Sequence, residues 1–337
     1  MLTFLDLPTI WAALLVVVVF IYVVLDGFDL GIGILFALFG RREERDVLMN
    51  SVAPVWDGNE TWLVMGGGGL FAAFPLAYAI LMPAMYAPII AMLLALVLRG
   101  VSFEYRWRTE RFKPFWDLAF ISGSLVAALT QGIILGALLQ GVVVEGRAYA
   151  GGWWDWLTPF SLLTGFAVVC GYALLGATWL IMKAEGHIAA RARTMAFGFA
   201  CITVAMIVAV SLVTPFLEAE YYRRWFTLPG VVLAAPVPLA VAALTVWLIR
   251  SLLEPRGDHR PFVLSLGLFA LCFLGLAISM FPYLIPTQVT IWDAAAPPKS
   301  QAFMLTGAAV LIPIILAYTA YAYYVFRGKV RIGEGYH

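Results

Sequence analysis

Leu25-Asp26-Gly27-Phe28-Asp29-Leu30-Gly31 places two carboxylates inside a long apolar run, residues 11–39. Trp56-Asp57-Gly58-Asn59-Glu60-Thr61-Trp62 does the same in the next apolar run. An ionisable side chain within a membrane segment costs about 2.5–3.5 kcal/mol on insertion scales, so it marks a pathway, a partner or a ligand. Asp26 and Asp29 are spaced i, i+3, as are Asp57 and Glu60, which puts each pair on one helix face.

The rest of the chain agrees with a membrane setting. Of its 337 residues 63% are hydrophobic and 12% charged, and the mean hydropathy is +0.93. Soluble domains carry about twice that charged fraction, which excludes a water-soluble domain. No nucleic-acid partner is expected. Cys170, Cys201 and Cys272 lie in apolar runs without CxxC spacing and are expected to be small buried hydrophobes. The first apolar run lacks a basic leader and is too long for a signal peptide, so a retained helix is expected.

A spanning helix needs about 20 apolar residues. Nine runs qualify: 8–39, 51–76, 77–101, 117–143, 159–182, 194–217, 230–250, 261–284 and 302–326. The expectation is an all-α, polytopic membrane protein forming a single integral-membrane domain, residues 1–337. A tight turn at Phe74-Pro75-Leu76-Ala77-Tyr78 must separate the second and third runs. Alternate loops hold the basic residues: Arg41, Arg42 and Arg45; Arg99 to Lys113; Lys183, Arg191 and Arg193; Arg250, Arg256 and Arg260; Arg327, Lys329 and Arg331. Of the 21 Lys and Arg residues, only Arg147, Arg223, Arg224 and Lys299 fall on the other side. The positive-inside rule therefore places the N-terminus outside, in the periplasm, and the C-terminus in the cytoplasm. The outer loops hold Trp153, Trp154, Trp156, Tyr221, Tyr222, Trp225 and Trp292, which suit an interfacial aromatic belt. Gly66-Gly67-Gly68-Gly69 suits close helix packing.

At 1.5 Å per residue, Asp29 lies about 15 Å from the cytoplasmic end of the first run, and Asp57 and Glu60 lie about 9–14 Å from that end of the second. Arg99 ends the third run on the same side and can neutralise one carboxylate. Two readings stay open. In one, Asp57, Asn59, Thr61 and Arg99 belong to a buried network that fixes the helices, with Asp57 also suited to a helix cap or break. In the other, the carboxylates conduct protons, as buried carboxylates in membranes recurrently do.

His187, His259 and His337 are the three histidines, and none lies within the apolar part of a run. Haem iron is usually held by His, Cys, Met or Tyr. Bis-histidine haem ligation by this chain is thus excluded, and Met65, Met82, Met85 and Met92 read as packing. No Cys/His cluster suits a metal, and no phosphate-binding glycine motif precedes a helix.

The two acidic stretches, followed by Arg99-Gly100-Val101-Ser102-Phe103-Glu104-Tyr105-Arg106, resemble in order and spacing subunit II of the cytochrome bd-type quinol oxidases. The match is motif-rich over residues 20–117. The resemblance implies a multi-pass subunit of a bacterial inner-membrane terminal oxidase that oxidises quinol and reduces dioxygen to water. It implies two four-helix bundles plus a peripheral helix. It also implies a haem-bearing subunit I as partner, with haem b and haem d (or a further haem b) there and no haem ligand or metal ligand here. Membrane lipids, a quinone and a small single-helix subunit are further partners known in the family. The short length suggests the cyanide-insensitive branch. The family's proton-delivery role carries over to Asp26, Asp29 and Asp57, with Glu60 as a further candidate. Arg99, Glu104, Trp56, Asn59 and Trp62 are the expected structural and charge partners. The alternatives are a purely structural subunit of the oxidase and a proton-coupled secondary transporter.

Overall fold

The structure, a computed structural model, describes residues 6–254 and 257–333. Arg256 and His337 lie outside the described residues. Helix α1 spans Leu7–Phe36. Asp6 caps it by accepting a hydrogen bond from Thr9 N at 3.0 Å, satisfying one of the orphan donors of the first turn. Helix α2 (Arg42–Val52) is short and turns Val47, Leu48, Met49 and Val52 into the main core. Then come α3 (Trp56–Ala73), α4 (Pro75–Ala84), α5 (Tyr86–Arg108) and α6 (Lys113–Gln140). A two-stranded hairpin, β1 (Val144–Glu145) with β2 (Ala148–Tyr149), precedes α7 (Pro159–Lys183) and α8 (Gly186–Val213). A 3-10 turn (Thr214–Phe216) leads to α9 (Ala219–Phe226), α10 (Gly230–Ala234), α11 (Pro236–Leu253) and α12 (Arg260–Met280). A second hairpin, β3 (Tyr283–Ile285) with β4 (Val289–Thr290), precedes α13 (Pro298–Val325).

Among the described residues, eight helical segments are long and apolar enough to cross a membrane. The runs expected at 51–76 and 77–101 are built differently from a simple hairpin. The first is interrupted at residues 53–55, where Pro54 cannot continue the i to i−4 ladder, so Ser51 and Val52 end α2 and a new helix starts at Trp56. α3 is 18 residues long and is not one of the eight. The second run is broken at Met85, between Pro83 and Pro88, into α4 and α5. Asp57 therefore lies in the first turn of α3, where its charge suits the helix dipole, rather than deep in a longer helix.

Hydrocarbon supplies no hydrophobic drive between helices, so small residues set their approach. A methyl group at Gly31 would collide with the Tyr172 carbonyl, and one at Gly176 would come within 2.5 Å of the Gly31 carbonyl carbon. These glycines let α1 and α7 cross backbone to backbone. Gly123 does the same for α6 against α5, where a methyl group would lie 2.6 Å from Ala95 O and 3.0 Å from Arg99 N. In the four-glycine stretch only part of the expected packing is present. A methyl at Gly69 would meet Leu15 Cδ2 at 2.6 Å and one at Gly66 would touch Val19, whereas Gly67 and Gly68 are exposed.

The three cysteines are not fully buried: Cys170 and Cys272 are half-buried and Cys201 is exposed on α8. An apolar thiol tolerates a lipid-facing position as well as a core. Several of the aromatic residues assigned to the outer loops have specific partners. Tyr221 is buried and donates to Leu139 O at 3.2 Å, Trp225 donates to Ser279 Oγ at 2.9 Å, and Trp292 donates to Asp6 Oδ2 at 2.6 Å.

Candidate functional site

The two acidic stretches meet at Arg99. α1 carries Asp26 and Asp29 one turn apart, and Gly27 and Gly31 keep that face thin enough for α7 to close behind it. α5 brings Arg99 across from the other side, and α3 supplies Asn59 and Glu60 from its first turns. Arg99 Nη1 donates to Asp26 Oδ1 at 3.0 Å. Its Nη2 lies 3.9 Å from Asp29 Oδ2, and its Nη1 lies 3.8 Å from Glu60 Oε2. Arg99, Asp26 and Asp29 are at most 1% exposed, whereas the Glu60 side chain is 26% exposed. One guanidinium thus faces three carboxylates.

The other contacts fill in around this hub. Asn59 Nδ2 donates to Asp29 Oδ2 at 2.6 Å and reaches Leu25 O at 3.4 Å. Asn59 Oδ1 accepts from the Tyr323 hydroxyl of α13 at 2.8 Å. Tyr22, one turn before Asp26, interacts with that carboxylate and accepts from Gln131 Nε2 at 2.7 Å, and Gln131 Oε1 accepts from Tyr172 at 2.7 Å. Asp26 Oδ2, Asp29 Oδ1, Arg99 Nε and Arg99 Nη2 are buried with no hydrogen-bond partner among the described residues. Buried polar atoms left in that state are costly. Of these, Asp26 Oδ2 and Asp29 Oδ1 can accept a proton or a water hydrogen, and the two Arg99 nitrogens can only donate.

An open surface groove of about 390 Å³ lies between α3 and α5, lined by Trp56, Asp57, Glu60, Thr61, Val97 and Gly100 among others. Glu60 is the member of the cluster that reaches it. Asp57 is exposed on its rim and takes no part in the ion pairs to Arg99. Trp56 stacks on Phe103 with ring centroids 4.8 Å apart, closing one side. Trp62 is fully buried against Val18 and Tyr22, one to two turns beyond the carboxylates. Glu104 does not join the cluster. It is exposed and pairs with Arg108 at 3.6 Å, because its position on α5 points away from α1.

The profile of the family described as cytochrome bd terminal oxidase subunit II matches residues 7–326. The chain belongs to this family. Cytochrome bd-I ubiquinol oxidase subunit 2 of Escherichia coli (strain K12) is 33% identical over 357 aligned residues, covering 95% of this chain and 94% of that protein. Cytochrome bd ubiquinol oxidase subunit 2 of Bacillus subtilis (strain 168) is 29% identical over 339, covering 96% and 97%. A chain of the bd oxidase from Geobacillus thermodenitrificans shares the fold, with a TM-score of 0.77 at 19% identity over 95% of this chain and 99% of that one.

Membership implies haem in the family's complexes. Among the described residues no group of three or more His, Cys, Asp or Glu could hold a metal ion. His187 is 55% exposed and lies 3.1 Å from Glu44, and His259 is an exposed residue preceding α12. Both histidines lie at helix ends on the surface, away from the buried helix faces.

Sequence reasoning missed a second charged network near the same helix ends. Arg106 is 1% exposed, donates to Asp117 Oδ1 at 2.5 Å, and pairs with Asp46 at 2.7 Å. Arg45 donates to Asp117 Oδ2 at 2.9 Å, and Lys113 lies 3.6 Å from Asp46. Loop charges look alike in sequence whether solvated or paired. Tyr22, Gln131 and Tyr323 were also missed, since single polar residues in apolar runs carry no spacing signal.

Proposed function

We propose that this chain is subunit II of a bd-type quinol oxidase in the bacterial inner membrane, packed against a haem-bearing subunit I. There the complex oxidises quinol and reduces dioxygen to water. Nine spans are the preferred count, with α3 crossing as the ninth beside the eight apolar segments. They group as α1, α3, α5 and α6, then α7, α8, α11 and α12, with α13 at the periphery. The N-terminus faces the periplasm, following the loop charges. Together they form one integral-membrane domain.

Reduction of dioxygen to two waters consumes four protons. In this reading they come from the cytoplasm through the groove: Asp57 at the rim collects them, Glu60 passes them inward, and Asp26 and Asp29 hold them beside Arg99. The observation that carries the reading is Glu60, which touches both the groove and the buried hub. A fixed counter-ion beside carboxylates with spare hydrogen-bonding capacity suits proton transfer over short steps. Glu60→Gln and Asp57→Asn in the assembled complex test it. Slower turnover with full haem content supports the route, and normal turnover in the double variant contradicts it.

The second reading is structural and rests on the buried Arg99–Asp26 contact, which joins α5 to α1. In that case the same variants lose haem before they lose rate per haem. Family membership sets the transporter alternative aside.

A further inference from the structure

α13 is the least packed of the long helices, and Gln301 is its only buried residue. Near its C-terminal end Tyr323 nonetheless reaches the carboxylate hub. Its ring packs edge-on to Phe28 (6.4 Å) and Trp179 (6.3 Å), and its hydroxyl donates to Asn59 Oδ1. The helix end is held there by Lys183 Nζ, which donates to the carbonyls of Phe326 and Gly328, and by Val330 N, which donates to Lys183 O at 2.8 Å.

We propose that Tyr323 is a positioning residue for proton transfer at Asp29, acting through Asn59 as a reversible hydrogen-bond adaptor. The proposal rests on the proton-route reading above. An amide has a donor side and an acceptor side, and a phenol can donate or accept. With Asp29 as a carboxylate, Asn59 turns its nitrogen to Asp29 and its oxygen to the Tyr323 hydroxyl, the arrangement observed. With Asp29 as a carboxylic acid, rotation of the amide lets its oxygen accept the acid proton while its nitrogen donates to the Tyr323 oxygen. In both states Asn59 keeps a partner for its nitrogen and its oxygen, because Tyr323 reverses its role, and rotation gives up only the 3.4 Å contact to Leu25 O. No bond is made or broken except that between Asp29 and the proton it takes up or releases. The charged and titratable groups facing Asp29 are Asp26 on α1, Glu60 on α3, Arg99 on α5 and Tyr323 on α13, and Tyr22 faces Asp26. Beside Asp29 on α1, Phe28 packs on the apolar rings of Trp179 from α7 and Phe262 from α12.

Tyr323→Phe keeps the ring and removes only the adaptor. An orphaned amide N–H is tolerated less well than an orphaned carbonyl, so the variant disfavours the rotated, proton-holding state. Three measurements on the purified complex decide the matter. Haem content is expected to be unchanged. Turnover is expected to fall about two- to tenfold, the range set by the loss of one neutral hydrogen bond, with the alkaline limb of its pH profile moved to lower pH. Tyr323→Phe added to Asn59→Ala is expected to cost nothing further. Loss of haem, an unmoved pH profile, or effects that multiply in the double variant would each overturn the adaptor. If Asp29→Asn slows turnover while Tyr323→Phe does not, the adaptor alone fails. If Asp29→Asn has no effect, the proton route itself fails.

Discussion

Arg99 and Asp26 form a 3.0 Å contact with both side chains at most 1% exposed, joining α5 to α1 across 73 residues of sequence. Removing one partner of a buried pair leaves an uncompensated charge, which costs about 3–5 kcal/mol. Arg99→Leu strands Asp26 and Asp29 together and is expected to abolish assembly of the complex, read as loss of haem from the purified membrane fraction. Arg99→Lys is expected to rescue only in part. One ammonium cannot span the carboxylates that a guanidinium fork reaches.

The α1–α7 crossing depends on bare backbone. Gly31→Ala drives a methyl group into the Tyr172 carbonyl, and Gly176→Ala into Gly31. Overpacking of this kind costs about 1–3 kcal/mol or more. Thermal unfolding of the purified complex is expected to drop for either variant, while Gly67→Ala, at an exposed position, leaves it unchanged.

The N-terminal end of α1 is acid-sensitive in a defined direction. Hydrogen bonds from Thr9 and Trp292 hold the Asp6 carboxyl below its ordinary value of 3.8. A depressed carboxylate stabilises the fold above its unfolded value and loses that contribution as pH falls through the folded value. The Asp6–Trp292 tie is therefore intact at neutral pH and is expected to open only below about 3.8. Indole fluorescence of Trp292, isolated by comparison with Trp292→Phe, checks this, and Asp6→Asn removes the acid transition.

The C-terminal segment is expected to depend on Lys183. Lys183→Met removes the donors to Phe326 O and Gly328 O and leaves the backbone bond from Val330 N to residue 183 and the Arg331–Glu185 and Lys329–Asp258 pairs to hold the segment. Exposed ion pairs of that kind contribute at most about 1 kcal/mol. Limited proteolysis after Lys329 or Arg331 should accelerate roughly tenfold, matching the loss of a charge-assisted hydrogen bond.

Much of this architecture is written locally in the chain. α1, α6, α7 and α12 match their apolar runs, and the spacing of Asp26, Asp29 and Glu60 anticipates one shared cluster. Arg99 was identifiable as a counter-ion, although not as the hub for three carboxylates. The break at Phe74-Pro75 was legible, whereas those at Pro54 and Met85 were not. Composition on both sides of Met85 is equally apolar. α2 was hidden because its polar face reads as a loop. Tyr323 meets Asn59 across 264 residues, so only packing reveals that contact.

Proton uptake tests the central claim most directly. Proteoliposomes containing the complex, wild type or Asp29→Asn, are given quinol and oxygen while external pH and oxygen consumption are followed together. The account predicts that Asp29→Asn retains its haems yet takes up protons and consumes oxygen at least about tenfold more slowly, the contribution expected of one positioned proton-transfer group being 10²–10⁴-fold. Wild-type rates of both in a fully haem-loaded Asp29→Asn complex would contradict it.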